Sequence, residues 1–153
     1  DALINSIEKK ITEINWAPDL IIASYHGIPK KYFDKGDPYH CYCHKTTRLI
    51  KEKFNKIPIE TTFQSRFGPQ EWLQPYTDKT LEKLPLSGKK NVLVICPGFS
   101  SDCVETLEEI AIQGKESFLS SGGNNFDVVP CLNDNEDHIK LLRSMVEKYI
   151  VKK

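Results

Sequence analysis

Four short apolar runs constrain this chain more than any other feature. Leu20–Ser24 (LIIAS), Ile59–Phe63 (IETTF), Val92–Cys96 (VLVIC) and Phe126–Leu132 (FDVVPCL) each have the length of a strand, and helix-bearing stretches far longer than a hairpin turn separate them. Connections of that length carry a strand back to lie parallel to its predecessor, and the helices they contain must cover the sheet. The expectation is α/β: an open four-stranded parallel sheet with helices on both faces. In such sheets ligands sit outside the carboxyl ends of the strands.

The helices can be read between the runs. Leu3, Ile4, Ile7 and Ile11 recur at helical spacing near the start. Asp37 is a good N-cap ahead of Pro38, predicting a helix that carries Leu49 and Ile50 toward Phe54. A short helix follows from about Thr77 to Leu84. Pro97 and Gly98 end the third run, and Ser100, Ser101 or Asp102 caps a helix carrying Glu105 and Glu109 on one face, closed by Gly122-Gly123. Asp134 or Asn135 caps the last helix, through Ile150.

Composition removes several function classes. At 153 residues, with 39% hydrophobic content, two Trp, seven Phe and six Tyr, the chain can bury the core of a single domain, residues 1–153. Basic and acidic residues both number 21, so there is no charge excess for nucleic acid. The apolar runs are far too short to span a bilayer. Five cysteines, odd in number and scattered, fit a reducing compartment, so a cytoplasmic location is expected. The chain starts at Asp1 rather than Met, which allows for truncation upstream.

Chemistry-bearing residues gather at the carboxyl edge: His26-Gly27, Gln64-Ser65-Arg66, Pro97-Gly98-Phe99 with Asp102 and Glu105 beyond, and Asn133-Asp134. His26 can serve as a base or a neutral metal ligand, or can simply satisfy a backbone carbonyl. Glu105 has two readings, a reacting carboxylate or the N3 member of a capping box with Asp102. Glu109 lies a turn further on, where capping gains little. Arg66 can clamp a carboxylate or pair with a neighbouring acid. Trp72, Phe67 and Phe99 can wall a cavity for a large flat ligand or anchor their loops. The run His40-Cys41-Tyr42-Cys43-His44 has no second ligand pair elsewhere, so it does not read as a structural zinc or iron–sulfur site; His40 and His44 share a helix face, whereas Cys41 and Cys43 do not.

Five blocks then carry a resemblance: Ser24-Tyr25-His26-Gly27-Ile28-Pro29, Lys35-Gly36-Asp37-Pro38-Tyr39, Gln64-Ser65-Arg66-Phe67-Gly68-Pro69, Trp72-Leu73-Gln74-Pro75-Tyr76-Thr77-Asp78, and Pro97-Gly98-Phe99-Ser100-Ser101-Asp102-Cys103-Val104-Glu105-Thr106-Leu107. In order and spacing the chain resembles the ferrochelatases, which insert ferrous iron into protoporphyrin IX to form protohaem in haem biosynthesis. The resemblance implies a chelatase-like, Rossmann-like three-layer sandwich, matching the C-terminal domain of a two-domain enzyme whose N-terminal half this chain lacks. It implies His26 and Glu105 as the catalytic pair, with His26, Glu105 and Glu109 along the metal path. Trp72, Gln64, Arg66, Phe99 and Asp102 would then lie on the porphyrin side. The third position of the family's acidic line is Gln113 here, which shortens that line. No cofactor is implied beyond the iron substrate, and no [2Fe–2S] cluster, since no cysteine follows Cys131. The implied partners are protoporphyrin, ferrous iron and the upstream half, with peripheral contact to a membrane surface and no nucleic acid. Two alternatives stay open: a non-catalytic porphyrin- or metal-binding module, and a chelatase for another tetrapyrrole or metal.

Overall fold

In the computed structural model, which describes residues 1–150, four parallel strands form one sheet in the order β2-β1-β3-β4. They are β1 (Leu20–His26), β2 (Ile59–Gln64), β3 (Asn91–Ile95) and β4 (Asn125–Val128). Seven helices surround it: α1 (Ala2–Glu13), α2 (Lys30–Asp34), α3 (Tyr39–Lys53), α4 (Thr77–Lys83), α5 (Val104–Leu107), α6 (Lys115–Ser120) and α7 (Glu136–Ile150). The chain leaves β1 toward β2 on one side, then returns past it to β3 and β4. The order therefore reverses between β1 and β3, and the crevice for a ligand opens above their carboxyl ends.

Side-chain alternation sorts the core into two layers. Ile21, Ala23 and Tyr25 of β1 meet Ile7 of α1 and Cys43 and Ile50 of α3 on one face. Leu20 and Ile22 meet Leu81 of α4, Ile110 and Phe118 on the other. The expected open three-layer α/β sandwich is what forms. Each fully buried large aliphatic or aromatic side chain contributes about 1.5–3 kcal/mol of transfer free energy, which is why the continuous apolar runs become the central strands.

Three local readings change. The fourth strand was expected to reach Leu132, but it ends at Val128. Val129 N–H still reaches Val94 O at 2.8 Å; Pro130 then offers no N–H to the ladder, and Cys131 N–H turns to the Asp102 carboxylate at 3.2 Å. The helix after β3 is not continuous. It opens as the short α5, passes through a π turn (Glu109–Gly114) in which Gln113 N–H bonds Glu108 O at 2.9 Å, and resumes as α6. The polar segment after Gly27 contains the short α2. Of the two candidate caps for α7, Asn135 accepts His138 N–H at 2.8 Å.

Gly123 ends the α6 turn against a fully buried ring: a Cβ built there would lie 2.2 Å from Cε1 of Phe118. Its backbone is not left-handed, so the demand for glycine is steric. Gly123→Ala should lower stability by about 1–3 kcal/mol in denaturant unfolding. Adding Phe118→Leu should recover part of that loss; strict additivity of the two changes would refute the clash.

Candidate active site at the carboxyl edge

His26 ends β1 in register with Gln64 at the end of β2. Its Nδ1 lies 2.6 Å from Gly27 O. A carbonyl can only accept, so Nδ1 carries the proton and Nε2 is left as the basic nitrogen of the neutral ring. Trp72 and Phe99 flank the half-buried imidazole, each with its ring centroid 6.3 Å away. Gly27 makes this closeness possible, since a Cβ there would meet Gln64 O at 3.0 Å and Cε3 of Trp72 at 3.2 Å. Tyr39, at the start of α3, donates its hydroxyl to His26 O at 2.8 Å and fixes the backbone from the other side.

Gln64 is 3% exposed and bonded at both ends. Its Oε1 accepts the Ser24 hydroxyl at 2.7 Å, and that hydroxyl lies 2.8 Å from the Thr77 hydroxyl, which in turn meets that of Thr62. Its Nε2 donates to the backbone carbonyl of Glu105 at 2.7 Å and to Glu109 Oε2 at 3.3 Å. A side chain read as facing substrate is instead the strut that joins β1, β2 and the helical segment bearing the acids.

The acids have separate tasks. Asp102 does not form the expected capping box with Glu105; α5 begins after Cys103, and Thr106 Oγ1 accepts Cys103 N–H at 3.0 Å. The Asp102 carboxylate instead accepts Asn133 Nδ2 at 2.7 Å and Thr106 Oγ1 at 3.1 Å, along with Cys131 N–H. Burial alone would raise its pKa, but the bonds from Asn133, Cys131 and Thr106 prevail and hold it below the usual carboxylate range. Glu109 accepts Ser65 N–H and Ser65 Oγ, both at 2.6 Å, and so braces a turn in which Ser65 adopts a left-handed φ of 63°. Glu105 differs in that its side chain, half-buried, makes no such bond to another element among the described residues. The Cys103 thiol, its own backbone N–H and the nearby His26 together lower its pKa. It is an ionised carboxylate within the electrostatic reach of His26.

Arg66 is taken up by Asp78 at 2.6 Å and lies 4.4 Å over the Tyr76 ring. Trp72 donates Nε1 to Phe67 O at 2.9 Å, while the Phe67 ring itself is 85% exposed. Gln113 leans on Glu108 at 3.4 Å rather than on Glu109. A cleft of about 300 Å³ beside the π turn is lined by Ser65, Asp78, Glu109 and Gln113. A cleft of about 530 Å³ lies between α1 and the loop at Pro130–Asp137, away from His26 and Glu105. Among the described residues no three His, Cys, Asp or Glu side chains form a metal-holding group, and no helix is long and apolar enough to cross a membrane.

The residues given no individual role from sequence are neutral: Ser24, Thr62, Thr77 and Tyr39, along with Ser65 and Asn133, which were placed at the edge without one. Thr62 and Gln64 alternate onto the face that Ser24 shares, so their meeting was implicit in the strand pattern once the β1–β2 register was set. The tie from Asn133 to Asp102 had no such signal.

The arrangement defines a class first: an open parallel α/β layer with an imidazole and a carboxylate at its switch point. A CbiX protein assigned to cobalamin (vitamin B12) biosynthesis from Marinobacter aquaeolei shares the fold, with a TM-score of 0.57 and 13% identity over 89% of this chain and 100% of its own. The family model for ferrochelatase matches residues 1–150, and the chain belongs to the ferrochelatase family. It is 55% identical over 150 residues to the ferrochelatases of Allorhizobium ampelinum and Rhizobium etli, covering 97% of this chain and 44% of each of theirs. To that of Brucella ovis it is 48% identical over 153 residues. The chain thus spans under half the length of these relatives.

Two measurements probe the struts. Gln64→Leu removes an acceptor from the Ser24 hydroxyl, which keeps Thr77, and the donor to the Glu105 carbonyl, and should lower stability by about 1–3 kcal/mol in denaturant unfolding. A lowered folded-state pKa at Asp102 gives stability that is complete above the unfolded value of about 3.9 and is lost as pH falls through the folded value. Asp102→Asn should therefore be the less stable protein at pH 7, by about 1–2 kcal/mol, and the gap should close on acidification below the ordinary carboxylate range. A gap independent of pH would rule out the charged clamp.

Proposed function

We propose that the intact protein inserts ferrous iron into protoporphyrin IX to form protohaem, and that this chain is the half carrying the reacting pair, His26 and Glu105. The observation that carries the reading is the His26 imidazole, its Nδ1 tied to a backbone carbonyl and its ring flanked by two aromatic rings, within electrostatic reach of the ionised Glu105 carboxylate. Membership of the ferrochelatase family supports the substrate assignment.

Metal insertion exchanges two pyrrole N–H protons for one divalent cation, so charge is conserved as two protons leave. His26 Nε2 takes up these protons in turn and passes them to solvent. The imidazolium formed at each step is stabilised by the Glu105 carboxylate, which also attracts the incoming cation. Trp72 and Phe99 hold the flat apolar face of the macrocycle beside the imidazole. For Glu109 to serve as a further station for the cation, it must exchange its bonds to Ser65 for metal. The second wall of the cleft comes from the remaining part of the longer protein, so these 153 residues by themselves should show little turnover.

In the intact protein, His26→Ala should reduce iron insertion into protoporphyrin by about 10²–10⁴-fold, the usual contribution of a positioned base. Glu105→Gln should also be severely impaired, with circular dichroism unchanged in both variants. Near-normal turnover in either would overturn the assignment. Porphyrin binding without metallation by the unmodified intact protein would favour a non-catalytic binding module.

A further inference from the structure

The four histidines fall into two kinds. His26 and His138 each have Nδ1 tied at 2.6 Å to a backbone carbonyl, of Gly27 and Asn133 respectively. His40 and His44 have no hydrogen bond to any described protein group. They stand four residues apart on the first turns of α3, so they share one face, and their ring centroids are 4.3 Å apart with the planes tilted by 47°. Phe33 lies 4.8 Å from the His40 ring, and Phe63 stacks on it at 5.7 Å, with an interplanar angle of 21°. This aromatic floor steadies the His40 ring, which is half-buried, while His44 is exposed.

We infer that His40 and His44 form an exchangeable site for a divalent first-row transition cation on the outer face of α3, with water completing the coordination. Two imidazoles one helical turn apart suit zinc, nickel, copper or ferrous iron rather than magnesium or calcium, which call for oxygen ligands. Zinc–imidazole bonds are roughly 2.1 Å long, and the broad second torsion of histidine lets the two rings converge on one ion. The preceding residue, Tyr39, holds His26 O at 2.8 Å, so the site lies beside the carboxyl edge where a cation would be used. A two-ligand site with open positions releases its ion readily. This distinguishes it from the closed four-ligand zinc or iron–sulfur centre that the isolated His40–His44 run cannot build.

The test needs only this chain and Zn²⁺. Calorimetric titration should show a site of micromolar affinity, and NMR should show the imidazole C–H signals of His40 and His44 moving together. His40→Gln and His44→Gln should each weaken that site by at least about tenfold, since the second imidazole binds as an intramolecular ligand. Cys41→Ser and His26→Ala should leave it unchanged. A tightest site that survives both glutamine variants, or that His26→Ala or Cys41→Ser abolishes, would overturn the inference, as would the absence of any micromolar site. None of these outcomes depends on catalysis, so the inference and the proposed activity stand or fall separately.

Discussion

The Gln64 side chain is the constraint on which the edge depends. It is the one buried group that touches β1 through Ser24, belongs to β2, and grips the acidic segment through the Glu105 carbonyl. Sheet hydrogen bonds set the distance from His26 to Gln64, while helix hydrogen bonds set the spacing from Glu105 to Glu109. The buried amide joins those two frames, together with the bonds from Ser65 to Glu109. A neutral amide suits the task because it donates and accepts at once and brings no charge into the core. A carboxylate at the same position could not donate to the Glu105 carbonyl, and an apolar residue would take that donor from the carbonyl and one partner from the Ser24 hydroxyl.

The break in the helix is tied to the same strut. A regular α-helix would continue Glu105 and Glu109 along one straight face. The π turn that starts at Glu109 instead re-aims the second acid, and its oxygens close on Ser65 at the end of β2. Gly114, buried at the end of that turn, lets α4 approach: a Cβ there would meet Leu81 at 3.2 Å. Insertions of this kind recur at functional sites, where one extra residue redirects a side chain that regular geometry would misplace.

How much was legible in the sequence follows from which interactions are local. The sheet, its two apolar layers and the convergence of His26 with the 102–109 segment follow from period and topology, and these survive. The end of β4 was misread because Val128, Val129, Cys131 and Leu132 look alike to a hydrophobic pattern. The single Pro130, together with a distant carboxylate at Asp102, outweighed four apolar neighbours. The helix was read as continuous because nothing in the composition of residues 104–120 marks a π turn. The Asp102 capping box failed for a related reason: a local partner at Glu105 competed with Asn133 and Cys131, which only the folded chain brings within reach.

The allocation of carboxylates sets Glu105 apart from its two acidic neighbours. Asp102 and Glu109 both lie near the edge, and either could be mistaken for a reactive acid. Each is already committed to neutral donors on another element, Asp102 to Asn133, Cys131 and Thr106, and Glu109 to Ser65 and Gln64. A carboxylate with several protein donors is held rigid, and to receive a cation it must first give them up. Glu105 has its thiol neighbour, its own amide and the nearby His26. Its backbone is anchored by Gln64 while its side chain stays exchangeable, and the metal-handling role proposed for it requires both properties. The two committed acids make that freedom possible by holding the loops around it still.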